Sequence, residues 1–478
     1  MSLEKKLVAL ALFICNSMGA VEITIVTTAI PSIVKDLSGF NLASYVFSIF
    51  LLTSAIANTV FGKLADIYGK KKLLQISIVI FLLGSLMCGL SKNMEFLILS
   101  RAIQGLGSGA LATLTMAVIG DVFDVEERAM ISGYNSTVWS IASLIAPMLG
   151  GLILLRFSWH WIFYINIPVG ILSMFLIEKS YKFEETKSSD KLDIKGLVLM
   201  TLFAICIIQA MSALESHSFL SMNVLGLVIL AAVFVVLFAK VEKNVDYPVL
   251  PYKLFSKEIV VIMIITFFNA TVLIAMDVYN PSFMQSVQGH VPMMSTVPIV
   301  PLSTFWVLSS FLLSKVMSRY STKAILMVSL VVLAAGVFGL VLLTPESSPW
   351  YMGIASSIIG LGFGGSFNML LFIVQETLSK ENMGMASGSV MFIRTLGQTI
   401  GISAFGLILN SSVVKYFSNI GIKVNTSTFL SDKTLKATDV VMSQFSGYNN
   451  IYIASFILAA LCAVIALLLP GKKKLSNY

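Results

Sequence analysis

Apolar runs of about 20 residues recur along the whole chain, and that recurrence decides the fold class before any motif is weighed. A helix rises about 1.5 Å per residue, so such a run crosses the ~30 Å hydrocarbon core of a bilayer. Fourteen candidate spans are read at about 7–33, 43–61, 73–90, 94–119, 129–153, 161–177, 194–213, 221–239, 258–283, 293–314, 324–343, 350–375, 384–409 and 450–469. Hydrophobic residues make up 57% of the sequence and charged residues only 12%, more apolar surface than a soluble domain can hide. In lipid an isolated helix satisfies its own backbone hydrogen bonds, so the chain is predicted to be an all-α polytopic membrane protein. Only 178–193 and 410–449 are long and polar enough to lie outside the spans.

Lys5 and Lys6 precede the first span, which is too long for a signal-peptide core and has no small-residue cleavage site after it. It is read as a retained helix. Fourteen spans put both termini on one side. That side collects 23 of the 32 lysines and arginines, against seven on the other side and two, Arg101 and Arg394, within spans. By the positive-inside rule both termini are expected in the cytoplasm. The net charge of +8 is then a consequence of topology and calls for no nucleic-acid partner. Cys15, Cys88, Cys206 and Cys462 all fall inside spans without metal-ligand spacing, so they read as small buried hydrophobes.

The chain repeats itself. GKLADIYGKK at Gly62–Lys71 is matched 252 residues later by SKVMSRYSTK at Ser314–Lys323. QGLGSG at Gln104–Gly109 is matched 255 residues later by IGLGFG at Ile359–Gly364. Two six-helix halves with an extra pair inserted between them account for both offsets, an arrangement suited to a transporter that rocks one half against the other. The expected organisation is an N-terminal half at 1–178, a cytoplasmic linker at 179–193 and two inserted helices at 194–240. A second linker at 241–257, a C-terminal half at 258–470 carrying an extracellular loop at 410–449, and a tail at 471–478 complete it.

Few ionisable residues lie at membrane depth, where each is unfavourable and therefore informative. Glu22 sits about eleven residues before the end of span 1, or roughly 17 Å, and Arg101 about seven residues into span 4, or roughly 11 Å. Their depths overlap once the reach of an arginine is allowed for, so each is a candidate partner of the other. Asp277, in LIAMDVYNPSF, is the other deep acid, on the span that answers span 1; Pro281 beyond it is expected to bend or end the helix. Burial favours the protonated form of a carboxylate and a nearby cation the ionised form, so such a group can serve protons and cations in turn. Arg394, in FIRTLGQTIG, has no acid on its own helix, and Glu376 is a candidate partner; a structural role is favoured. His160, His217 and His290 map to outer ends or loops, and no phosphate-cradling Gly-Lys-Ser/Thr loop is present.

These motifs together resemble the fourteen-span drug:H+ antiporter family 2 of the major facilitator superfamily, over nearly the whole chain. GKLADIYGKKKLL is similar to the loop between spans 2 and 3, RAIQGLGSGA to the span 4 motif, and APMLGG at Ala146–Gly151 to the antiporter motif of span 5. WHWIFYINIPVG resembles the approach to span 6, and EITIVTTAIPSI the first-span signature. The resemblance implies a conformational latch of Gly62, Asp66, Gly69, Lys70 and Arg128, with Glu127 as a neighbour. It also implies a flexible antiporter helix at Ala146, Pro147, Gly150 and Gly151, and proton coupling through Arg101. Three positions depart from the family pattern: Glu22 stands where Asp is usual, Ala146 where Gly is usual, and Ser318 where the second loop could have mirrored Asp66.

The expected function is proton-coupled antiport that exports lipophilic, chiefly cationic, drugs or other amphiphiles by alternating access. Proton coupling is assigned to Glu22, Arg101 and Asp277, and substrate binding to Glu22 and Asp277. The alternatives are a dedicated exporter or flippase of one endogenous amphiphile, and a membrane sensor or scaffold without turnover. No enzymatic activity, cofactor, metal or nucleic-acid partner is expected. The partners are the lipophilic substrate, protons and membrane lipids, and the expected form is a monomer in the cytoplasmic membrane of a bacterium.

Overall fold

The computed structural model describes residues 2–123, 125–182, 194–214, 221–243, 256–316, 319–377, 383–426, 429–432 and 434–470. Among them there is no strand. The helices are α1 (Leu3–Leu37), α2 (Ala43–Tyr68), α3 (Lys70–Gly89), α4 (Met94–Val122), α5 (Val125–Arg156), the single turn α6 (Trp161–Tyr164) and α7 (Asn166–Ser180). Then follow α8 (Ile194–Ala213), α9 (Met222–Glu242), α10 (Lys257–Ser286), α11 (Thr296–Val316), α12 (Thr322–Val341), α13 (Pro349–Thr377), α14 (Met383–Asn419) and α15 (Ala437–Ala466). Among the described residues, twelve spans are long and apolar enough to cross a membrane, α6 and α7 together making one of them. In α5 and α8 the described apolar stretches are Ile145–Arg156 and Val198–Ala210.

Polar side chains mark where several helices begin. Asn93 accepts from the Phe96 amide at 2.8 Å, and Ser321 and Ser256 accept from Ala324 and Ile259 in the same way. Each supplies an acceptor to an amide that the first turn leaves without an intrahelical partner. Pro281 does not end α10, which continues to Ser286. The surrounding helices bury that stretch, so the carbonyl freed by the proline is not presented to lipid. The region 410–449, expected to be a loop, is mostly helix: α14 runs on to Asn419 and α15 starts at Ala437. Polar helix has been added beyond the apolar core at both sides of the turn, and hydropathy registers only the apolar part.

The repeat is visible as packing. In α4, a Cβ on Gly107 would lie 2.6 Å from the Phe81 Cα of α3, and Gly105 and Gly109 face the Phe50 and Ser54 carbonyls of α2. In α13, a Cβ on Gly362 would lie 2.6 Å from the Leu333 Cα of α12, and Gly360 and Gly364 face the Leu302 and Trp306 carbonyls of α11. The glycines are 255 residues apart and the backbones they touch 252 apart, the two offsets of the sequence matches. Alternate glycines let one helix press two neighbours at backbone distance, which in lipid replaces the missing hydrophobic drive for association.

One end of the bundle holds the start of α1 beside the end of α7, where Lys182 Nζ stands 3.8 Å from Glu4. Here too Lys5 Nζ meets Glu127 at 2.6 Å, Lys71 meets Glu178 at 3.2 Å, and Lys323 donates to the Leu467 and Leu469 carbonyls. This is the terminal end. At the opposite, distal end the two helix sets meet: Gln285 Nε2 donates to the Thr28 carbonyl at 2.8 Å and Asn410 Nδ2 to the Asn41 carbonyl at 3.3 Å. A Cβ on Gly151 of α5 would lie 2.9 Å from the Met293 Cα, and Ser44 of α2 fills the space beside Gly406 of α14.

Helices α8 and α9 differ in how far their neighbours cover them. The most apolar stretch of α9 is 11% buried, against 72% for α10. Helix α8, by contrast, sets Ala204 and Ile208 against Leu52 of α2, with Leu396 of α14 packed on the same cluster. It therefore covers the seam where α2 and α14, one from each set, run together.

Replacing Gly107 by Ala is expected to force α3 and α4 apart and to cost about 1–3 kcal/mol through overpacking. Gly226 of α9 meets nothing within 4 Å, so Gly226→Ala should not destabilise the protein in detergent and should stabilise it by up to about 1 kcal/mol through helix propensity. Equal shifts for the two variants would contradict this packing.

Candidate functional site

Glu22 lies in the middle of α1 and is fully buried, as is Arg101 of α4. Arg101 Nη1 donates to Glu22 Oε1 at 2.5 Å and to Gln104 Oε1 at 2.6 Å, and Arg101 Nε to the Val46 carbonyl of α2 at 3.1 Å. The other carboxylate oxygen accepts from Asn166 Nδ2 at 2.7 Å. Ser85 of α3 closes the network, accepting from Gln104 Nε2 at 2.7 Å and from Asn166 Nδ2 at 3.2 Å. The Arg101 guanidinium carbon lies 4.0 Å from the centre of the Phe50 ring. One carboxylate thus sits at a junction of α1, α2, α3, α4 and α7.

The local sequence explains how these groups converge. Gln104 follows Arg101 by three residues, so both project from one face of α4. Asn166 opens α7 directly after the break at Ile165. The network is nearly complete, but Arg101 Nη2 has no partner among the described residues. Two opposite charges at full burial are held by hydrogen bonds to each, without which the arrangement would not persist. Sequence depth brought Glu22 and Arg101 together; Gln104, Asn166 and Ser85 were missed as partners, although the first two stand in the motifs quoted above.

Asp277 of α10 does not join this network. Its side chain is only partly buried, and the charge acting on it is Arg394 of α14, with no ion pair between them. The Arg394 guanidinium lies over the Phe367 ring at 4.3 Å, and 5.7 Å from that of Trp306. The Glu376 side chain, the expected partner of Arg394, lies outside the described residues. A separate cavity of about 300 Å³ lies between the helix sets near the distal end, lined by Lys35, Phe47, Tyr279 and Tyr448 among others. It contains neither Glu22, Asp277 nor Arg394.

Of the latch residues, Gly62 and Asp66 fall in α2 and Arg128 in α5, and their side chains lie outside the described residues. Gly69, at φ +98°, is the one-residue joint between α2 and α3, a conformation open to glycine and strained for other residues. Lys70 begins α3, and Glu127 pairs with Lys5. Ala146 and Pro147 are buried in α5, Gly150 faces Thr28 and Ile25 of α1, and Gly151 faces Met293. The motif therefore lies where α5 meets both helix sets.

Residues 12–402 match the family model described as Major Facilitator Superfamily. The multidrug efflux pump SdrM of Staphylococcus aureus (strain N315) is 34% identical over 85% of this chain and 90% of that protein. Multidrug resistance protein 3 of Bacillus subtilis (strain 168) is 30% identical over 84% of this chain and 79% of its own length. Among solved structures, a bacterial homologue of the human lysosomal transporter Spinster superposes with a TM-score of 0.69 at 13% identity, over 98% of this chain and 97% of that one. The D-xylose-proton symporter superposes with a TM-score of 0.66, covering 98% of this chain and all of its own. At that identity the likeness is one of fold.

Removing one partner of a buried ion pair leaves the other charge uncompensated, at a cost of about 3–5 kcal/mol. Glu22→Gln and Arg101→Gln are each expected to lower the unfolding free energy in detergent by that order, and the double variant by less than the sum. Additive losses would mean that the two groups are not energetically coupled.

Proposed function

The chain belongs to the Major Facilitator Superfamily, and on that premise we propose that it exports lipophilic drugs, cationic ones among them, in exchange for protons. The observation that carries this reading is the buried Glu22–Arg101 pair at the junction of five helices. The names of the relatives, a multidrug efflux pump and a multidrug resistance protein, support the direction and the substrate class.

The chemistry follows from the geometry. When Glu22 takes a proton, its attraction to Arg101 is lost and the hydrogen bonds tying α1 to α4 and α7 are reshuffled. When the proton leaves, the pair re-forms and draws the helices together. Protonation is thus coupled to packing, and one proton moving down about 100 mV supplies roughly 2.3 kcal/mol to drive the cycle. Asp277, partly exposed on the other helix set, is the second acid and the more accessible to substrate. The closed distal end, with Gln285 on Thr28 and Asn410 on Asn41, supports a state open toward the terminal end.

The remaining assignments complete the proposal. The terminal end, rich in lysine and arginine, faces the cytoplasm of a bacterial cell across fourteen spans. The halves at 1–178 and 258–470 rock about the central site, with α8 and α9 as the inserted pair and the protein acting as a monomer. Gly62, Asp66, Gly69, Lys70 and Arg128 latch the outward-facing state. Pro147, with its small neighbours, gives α5 the freedom to bend as the distal end opens.

In everted vesicles, adding ethidium to the wild type is expected to release protons from the lumen. Glu22→Gln should abolish that exchange at matched expression, and Asp277→Asn should weaken it. Exchange at the wild-type rate in Glu22→Gln would sink the assignment and leave Glu22 a packing residue.

A further inference from the structure

The cavity near the distal end is walled by both helix sets. Val34 of α1 and Phe47 of α2 line it from the first, Val278 of α10 and Leu409 of α14 from the second. At about 300 Å³ it stands at the lower end of small-molecule sites, which run from about 300 to 1,000 Å³. That space suits one short alkyl chain and excludes a two-chain lipid. Lys35, in the last turn of α1, is exposed and so stands at its mouth.

The polar groups of the lining are unevenly matched. Gln444 of α15 is 2% exposed and Ser44 of α2 is 8% exposed, yet among the described residues neither side chain has a hydrogen-bond partner. Buried amides and hydroxyls are ordinarily paired, so two left open on one cavity point to a ligand that pairs them. Lys35 is the only charged residue of the lining and makes no ion pair among the described residues. The acids next in sequence to the lining are turned elsewhere, Asp36 accepting from Trp159 Nε1 at 2.9 Å and Asp439 from the Tyr416 hydroxyl at 3.4 Å. A cation and open donors, apolar walls and no carboxylate call for an acceptor-rich anionic head on an apolar chain.

We propose that this cavity binds short single-chain anionic amphiphiles, and that the occupant holds the distal end closed. The head lies by Lys35 at the mouth, with Gln444 and Ser44 as further donors, and the chain packs between the two helix sets. Opening the distal end separates Val34 and Phe47 from Val278 and Leu409, so an occupant that touches both must leave first. A ligand that binds one of two states draws the equilibrium toward that state. The site rests on the cavity alone; the brake rests on the exporter reading, since only a cycling transporter opens that end.

The test uses octyl sulfate, which stays ionised and so carries no protons across a membrane, with octyltrimethylammonium as its cationic counterpart of equal chain length. Binding to full-length protein in nanodiscs of zwitterionic lipid is followed by titration calorimetry, with empty nanodiscs subtracted. Wild type is expected to bind the sulfate with saturation and the ammonium not at all. Lys35→Gln should weaken sulfate binding by roughly 3- to 10-fold, between an exposed ion pair and a charge-assisted hydrogen bond. Lys35→Arg should restore it, and Gln444→Leu should weaken it as well. No saturable sulfate binding, or equal binding of both amphiphiles by wild type, overturns the site without recourse to any variant. Displacement of the sulfate by a two-chain anionic lipid assigns the cavity to membrane lipid and overturns the single-chain occupant. In everted vesicles with octyl sulfate on both faces, ethidium-driven proton exchange should fall in wild type, and Lys35→Gln should need correspondingly more sulfate for the same fractional loss. Undiminished exchange alongside selective binding overturns the brake. Absence of exchange even without octyl sulfate refutes the exporter, while calorimetry still decides the site.

Discussion

A carboxylate and a guanidinium, each without exposure to solvent, touch at 2.5 Å in the middle of the first helix set. In lipid, neither charge can be left alone, and the pair is retained only because neighbouring side chains complete its hydrogen bonds. Asn166, Gln104 and the Val46 carbonyl do so from three other positions in the chain, and Ser85 accepts from the first two. The placement of α1, α2, α3, α4 and α7 is therefore tied to the charge state of one residue. Structural scaffolds seldom need this, since an apolar pair of the same volume would serve as well.

The second helix set repeats the packing but not the electrostatics. Gly360, Gly362 and Gly364 reproduce the contacts of Gly105, Gly107 and Gly109 on α11 and α12, so the two sets share one scaffold. Ser356 then takes the place of Arg101 at the same offset of 255 residues, and Arg394 supplies a cation held on Phe367 and Trp306 instead. The two sets thus share one packing scheme and carry different charges on it.

How much of this was legible depends on which physical rule governed each residue. Glu22 and Arg101 were paired from sequence because helical rise is fixed, so depth in the membrane follows from counting residues. The glycine repeat was legible because close approach of backbones tolerates no other residue there. The supporting hydrogen bonds were not: serines and threonines in these helices commonly turn back on their own carbonyls, as Ser77 does to Leu73 and Thr24 to Ala20. Nothing in the sequence separates Ser85 from them. Arg394 was visible as a buried charge, yet its aromatic neighbours come from α11 and α13, which only the tertiary packing brings together. The helical ends of 410–449 were read as loop because hydropathy measures contact with lipid and is silent about helix in water.

The most direct test of the central claim is proton release on substrate binding, measured with a pH indicator on detergent-solubilised protein in weakly buffered solution. The account expects ethidium to displace a proton from the wild type and none from Glu22→Gln. Undiminished release from Glu22→Gln would show that the proton comes from elsewhere, and that the buried pair only holds the helices together.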